Sequence, residues 1–304
     1  MNSKSIEYQK VFPCNCLKKY IEYYWIIKDI DREHIITLMP DVRPSMFFIH
    51  KSAARCHHPL KGTSFIDNDF CVDSNIIHTH LLTSGFVGAH YDYMILNVTG
   101  VMEIVGVQFT TIGAYAFWGD VAPECVNGIV SADEFPVLKR IEEQCIDMWQ
   151  KDDIANMFDN CFLELLLLQE GHDIDAFNRL NSVACQQNVW RNTVDMTKKT
   201  YIGVRQQERW FKKIIGLSPR KFKVVHRFRM ALGELILCNH IGHLEELAYD
   251  AGYNDLPHMT RDFVKLCGAT PGKLSEYLKS YKVNVSSNLI YQIKSDDNCN
   301  ICRL

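Results

Sequence analysis

The sequence predicts a multidomain α+β protein: a β-rich first domain, sandwich-like or barrel-like, then linker helices, then an all-α module of two helix-turn-helix units. Three observations carry this prediction. Short apolar runs punctuated by Pro, Gly and Asp fill the first part of the chain, a C-terminal stretch is written twice, and charge is partitioned between the two parts.

A chain of 304 residues has room for two domains. In residues 1–132 the runs Ile35–Leu38, Ser45–Ile49, Tyr93–Val98 and Ile104–Phe109 read as strands separated by turn residues. In residues 133–172 the segments Glu134–Trp149 and Asp153–Leu168 read as helices. The apolar run Phe162–Leu168 falls short of the roughly 20 residues that cross a bilayer. It suits burial against the β-domain or against a second subunit, since both want the same residues.

Residues 173–280 hold the duplication. Arg209–Phe222 (RWFKKIIGLSPRKF) and Arg261–Leu274 (RDFVKLCGATPGKL) lie 52 residues apart and share Arg, Phe, Lys, Gly, Pro and Lys in register. Gly216 and Gly268 suit the left-handed backbone that ends a helix. Ser218 and Thr270 suit the cap of the next helix, and Pro219 and Pro271 its first turn. Shorter helices are expected ahead of each copy, at Thr193–Lys199 and His243–Ala251, which makes two helix-turn-helix units. One long helix, Pro219–Cys238, joins them. At 1.5 Å per residue it spans roughly 30 Å, near the ~34 Å turn of DNA, so two recognition helices could enter successive major grooves.

Helical spacing gives each recognition helix two faces. Arg205, Arg209 and Lys213 form one row; Pro257, Arg261 and Lys265 form the matching row, with His258 alongside in place of Gln206. Trp210, Phe211, Ile214, Ile215, Met259, Phe263 and Leu266 occupy the inward side. Charge follows the same division: residues 1–174 carry 13 Lys+Arg against 24 Asp+Glu, and residues 175–280 carry 17 against 10. Arg191–Arg229 alone carries 12 against 2, the footprint of a surface that meets phosphates. A charge run is also a common form of solvated helix face; its coincidence with the duplicated unit favours DNA.

These features resemble the AraC/XylS family of bacterial transcription regulators, whose DNA-binding module joins two helix-turn-helix units by a long helix. The likeness is densest over Leu247–Phe263 and Gly268–Gly272. It implies that Arg205, Gln206 and Arg209 enter one groove and Leu256, Pro257, His258 and Arg261 the next, with Lys212, Lys213 and Lys265 as phosphate neighbours. Gln207 stands where the family has a core leucine, Thr197 where it has a small alanine, and Gly203 where it has a capping serine. Leu256 and Pro257 replace base-reading polar residues. A sensing or protein-interaction module with a degenerate DNA head is therefore the alternative. Met39–Val42, Gly106–Gly119 and the aromatic cluster Tyr20, Tyr23, Tyr24 and Trp25 are similar to an uncharacterised β-domain of some AraC-type regulators. That likeness implies a small-molecule effector, a homodimer, or both, with RNA polymerase as a further partner of an activator.

Sharper chemistry finds little support. His78 and His80 flank one residue and leave a strand by the same face, so they are the candidate effector contacts. With His57, His58 or His90 they form an incomplete metal set, and no metal or other cofactor is expected. Twelve scattered cysteines suggest reduced thiols in the cytoplasm, and no signal peptide is evident. Cys14 with Cys16 and Cys299 with Cys302 are close pairs, the latter in a polar tail, 281–304, expected to be disordered. No phosphate-binding glycine loop, GxSxG elbow or zinc-held reactive cysteine is legible, so no enzyme is expected.

Overall fold

The computed structural model describes residues 7–59, 76–81, 83–119, 121–148, 153–168, 178, 182, 201–238, 243–280, 285–286 and 289–293. Nine antiparallel strands form one sheet: β1 (Glu7–Val11), β2 (Ile21–Leu38), β3 (Ser45–Pro59), β4 (Ile76–Leu81), β5 (Gly85–Val87), β6 (Met94–Phe109), β7 (Ile129–Ser131), β8 (Val285–Ser286) and β9 (Leu289–Ile293). The long strands β3, β6 and β2 lie side by side at its centre. Strand β1 pairs with the first half of β2, and β9 pairs with its second half.

Two of the expected strands prove to be one. All but Tyr93 of the expected Tyr93–Val98, and the whole of Ile104–Phe109, are parts of the continuous β6, and Gly100 between them has φ +82°. There β2 inserts an extra residue between Asp29 and Arg32, so the glycine marks a bulge rather than a strand end. Within the expected tail, Val285–Ser286 and Leu289–Ile293 pair with each other as β8 and β9, and β9 pairs with β2, while Cys299 and Cys302 lie outside the described residues.

Among the described residues, α1 (Gly113–Trp118), α2 (Val121–Glu124), α3 (Pro136–Met148) and α4 (Ile154–Leu168) accompany the sheet. The aromatic residues decide how α4 packs. Phe158 lies 5.0 Å from the Tyr24 ring, and Phe162 lies 4.8 Å from Phe117 and 5.7 Å from Phe109, all fully buried. Asp159, one turn along, accepts from the Tyr24 hydroxyl at 2.7 Å and from the Cys14 amide. The run beginning at Phe162 thus enters the core of this chain, although Leu167 at its end is 87% exposed.

The C-terminal module contains α5 (Val204–Ile214), α6 (Pro219–Cys238), α7 (Leu244–Asp250), α8 (Leu256–Cys267) and α9 (Pro271–Ser280). The helix expected at Thr193–Lys199 lies outside the described residues. Phe222, Val225, Phe228, Ala231, Leu232 and Leu235 of α6 are buried among residues of α5, α7, α8 and α9. That core continues without a break into the β-domain through Met39, Val42, Tyr93, Ile112 and Tyr115.

A charged knot lies within this continuous core. Asp41 is fully buried, accepts from Arg43 Nη2 at 2.8 Å, and lies 3.3 Å from Arg229 Nε of α6. Burial alone would lift the Asp41 carboxyl, but the Arg43 and Arg229 guanidiniums outweigh it and hold it well below the usual carboxylate range. Two further contacts join the same parts. Lys221 Nζ stands 3.7 Å from the centre of the Tyr91 ring. Gly216, at φ +80°, packs so closely on α2 that a Cβ would collide with the Pro123 carbonyl and Val126.

Candidate nucleic-acid interface

The first recognition helix, α5, starts without a side-chain cap because Gly203 has none to offer; its carbonyl accepts from the amides of Gln206 and Gln207. Phe211 and Ile214 point into the core, and Arg205, Arg209, Lys212 and Lys213 are exposed on the other side. Gln206 is half-buried and its side-chain oxygen accepts from Arg209 Nη2, which braces that arginine along the outer face. Lys212 donates to the Gly216 carbonyl at 3.1 Å and so secures the end of its own helix. Gln207 is buried with its Nε2 donating to the Ile202 carbonyl at 2.7 Å, which meets the chief cost of a polar group at a core position.

The second recognition helix, α8, begins differently. Asp255 caps it, accepting from the His258 amide at 2.7 Å, with Pro257 in the first turn. Met259, Phe263, Leu266 and Cys267 are buried, and burial pushes the Cys267 thiol up to about 12. Pro257, Arg261 and Lys265 are exposed; Leu256 and His258 are half-buried. Arg261 Nε reaches back 3.3 Å to the Pro257 carbonyl. Both helices therefore present their arginines outward, away from α6. The turns that follow obey the sequence punctuation: Gly268 has φ +72°, and Ser218 and Thr270 accept from the amides of Lys221 and Lys273.

Residues 196–277 match a helix-turn-helix domain family, and residues 9–131 match a domain of unknown function, DUF6597. The C-terminal module is an AraC-type helix-turn-helix domain. That family match covers the C-terminal module alone, and the family matched by residues 9–131 has no assigned function. No curated protein matches the chain significantly. Among solved structures, ToxT from Vibrio cholerae O395 is similar at 9% identity and a TM-score of 0.44, over 86% of this chain and 98% of that one. Unsaturated fatty acid bound wild-type ToxT from Vibrio cholerae strain SCE256 gives 11% and 0.42, over 92% and 98%.

Within the AraC-type module, not every cation of the basic stretch faces solvent. Arg227 is 5% exposed, and Arg229 turns toward Asp41, so two of the residues counted toward a phosphate-binding footprint are structural. They flank Phe228, a core position, and this placement at the edges of the buried face was the signal available in the sequence. Nothing in the sequence distinguished Asp262 as the partner of Arg227 or Asp41 as that of Arg229.

His78 and His80 lie two apart on β4, opposite His58 and Cys56 of β3. His90 does not extend that pair: it is buried, with its ring nitrogens 3.1 Å from the Gly88 carbonyl and 2.9 Å from the Met39 carbonyl. Among the described residues no group of His, Cys, Asp and Glu is arranged to hold a metal ion. No helix among them is long and apolar enough to cross a membrane.

Proposed function

We propose that this regulator binds double-stranded DNA sequence-specifically, inserting α5 and α8 into successive major grooves. Arg205, Gln206 and Arg209 read bases in one groove. Leu256, Pro257, His258 and Arg261 occupy the other, and Lys213 and Lys265 meet phosphates. The observation that carries this reading is the pair of outward arginine rows on two helices whose opposite faces are buried on one rod, α6. The β-domain is proposed to take up a small-molecule effector, with His78 and His80 among its contacts, and to signal through its shared core with α5 and α6. A homodimer and, for an activator, RNA polymerase complete the proposed partners.

Selection of duplexes from a randomised 30-base-pair library with the full-length chain tests the reading. One enriched sequence, protected in two patches about one helical turn apart, is the expected result. Failure to enrich any sequence at low salt, where phosphate contacts are strongest, overturns it.

A further inference from the structure

The two halves of the duplicated module differ at one point of chemistry. In register, Asp262 of the second copy stands where the first has Trp210, and His258 stands where the first has Gln206. The structure shows what the second copy does with that carboxylate. Arg227, buried on α6, points its guanidinium at the inner side of α8. Its Nη2 lies 3.1 Å from Asp262 Oδ2 and 3.3 Å from His258 Nε2, and its Nη1 lies 3.4 Å from the Gly252 carbonyl. The guanidinium carbon is 4.4 Å from the centre of the Tyr253 ring, against whose face His258 packs edge-on at 5.4 Å. One side chain of the rod thus touches the turn ahead of α8, its first turn and its second.

The chemistry of the partners fixes a proton. A guanidinium carries only donors, so a histidine nitrogen in contact with it must accept. His258 Nε2 is then the unprotonated nitrogen of a neutral ring, and the hydrogen sits on Nδ1. Among the described residues Nδ1 has no hydrogen-bond partner. Building on the DNA-reading role proposed above, we infer that Arg227 is a positioning residue: it holds α8 in its reading pose and fixes His258 as an Nδ1–H donor. A donor at this position matches acceptors: guanine O6 or N7, adenine N7, thymine O4, or a phosphate oxygen. The cytosine amino group is not among them. Trp210 denies the first unit any such clamp.

The test uses the full-length chain and its selected duplex. Long-range proton–nitrogen spectra identify the His258 ring as the one lost in His258→Gln. The expected signature at pH 7.5 is Nδ1–H with an unprotonated Nε2, and Arg227→Met should redistribute it toward the other tautomer. An Nε2–H ring in the unmutated chain overturns the inference whether or not the chain reads DNA. In hydroxyl-radical footprints, Arg227→Met should keep the half-site read by α5 and weaken the other, lowering affinity by about tenfold or more. The double variant Arg227→Met, Asp262→Leu replaces the buried pair by apolar groups and so keeps the fold; it should show the same one-sided loss. Undiminished protection of both half-sites by that double variant overturns the inference, while an unmutated chain that selects no duplex overturns only the DNA-reading role.

Discussion

The two helix-turn-helix units grew from one sequence pattern, yet each is held in place by different means. The first unit leans on the β-domain: Gly216 packs on α2, Lys221 lies over Tyr91, and Arg229 of the adjoining rod is paired with Asp41. The second is organised within the module: Asp255 caps α8, and Arg227 ties it to the rod through Asp262 and His258. A duplicated fold can therefore divide its labour, one copy coupled to the β-domain and the other secured locally. An effector of the kind proposed above would act on α5 first and on α8 through α6.

The largest expected effect comes from breaking the coupling. Asp41→Asn takes from the buried site the carboxylate that faces both Arg229 and Arg43, of which Arg43 keeps a second one in Glu22, and should cost roughly 3–5 kcal/mol, read by urea unfolding. A loss under about 1 kcal/mol would mean that the knot does not hold the two parts together. Because the folded Asp41 carboxyl lies below the ordinary range, this contribution is complete above its unfolded value near pH ~4 and fades only in stronger acid. Next comes a matched pair of glycine substitutions. Gly216→Ala combines a left-handed backbone with a collision and should cost about 2–4 kcal/mol, whereas the left-handed backbone at Gly268 should make Gly268→Ala cost about 1–2 kcal/mol. Equal thermal shifts for the two would remove the asymmetry.

On DNA, Arg209→Ala should cost about 1–3 kcal/mol on the selected duplex. Lys213→Ala should instead weaken all duplexes alike and reduce the salt slope by about one unit. Titrations across salt and sequence separate these outcomes, and a sequence-dependent loss for Lys213 would reverse the two roles. Smaller still are the helix starts. Asp255→Ala should cost ~1 kcal/mol, while Gly203→Ser, at an extended backbone position with open space around it, should gain only a few tenths. Chemical denaturation of both variants measures the difference in capping between the units.

The smallest effect concerns acid. Burial first, then Arg227, lowers the pKa of His258, while Asp262 and Asp255 act to raise it and Arg261 to lower it. Its unfolded form titrates near pH ~6.5, so the folded chain binds fewer protons just below that pH. Stability from this residue is full above pH ~6.5 and falls as acid is added, and His258→Gln should flatten that slope in melting curves. An unchanged slope would detach His258 from the clamp.

Much of the reading head was legible because its signals are local. Gly216, Gly268, Ser218 and Thr270 act through their own backbone and caps, so their spacing named the turns, and the row Arg205, Arg209, Lys213 followed from helical period alone. Residues whose partners lie far along the chain were not legible. Arg229 looked like one more phosphate neighbour until Asp41, 188 positions away, claimed it. The runs Tyr93–Val98 and Ile104–Phe109 looked like two strands because the bulge at Gly100 is set by the neighbouring strand, not by the glycine.

Strand β9 has a topological consequence. The chain leaves the sheet after β7, builds the helices, and then returns to lie along β2. The reading head is thereby an insertion tethered at both ends, not a pendant at the end of a tether. A single protease cut between α4 and α5 would leave both fragments joined through the returning strand, and deleting Leu289–Ile293 would loosen the head at its far anchor.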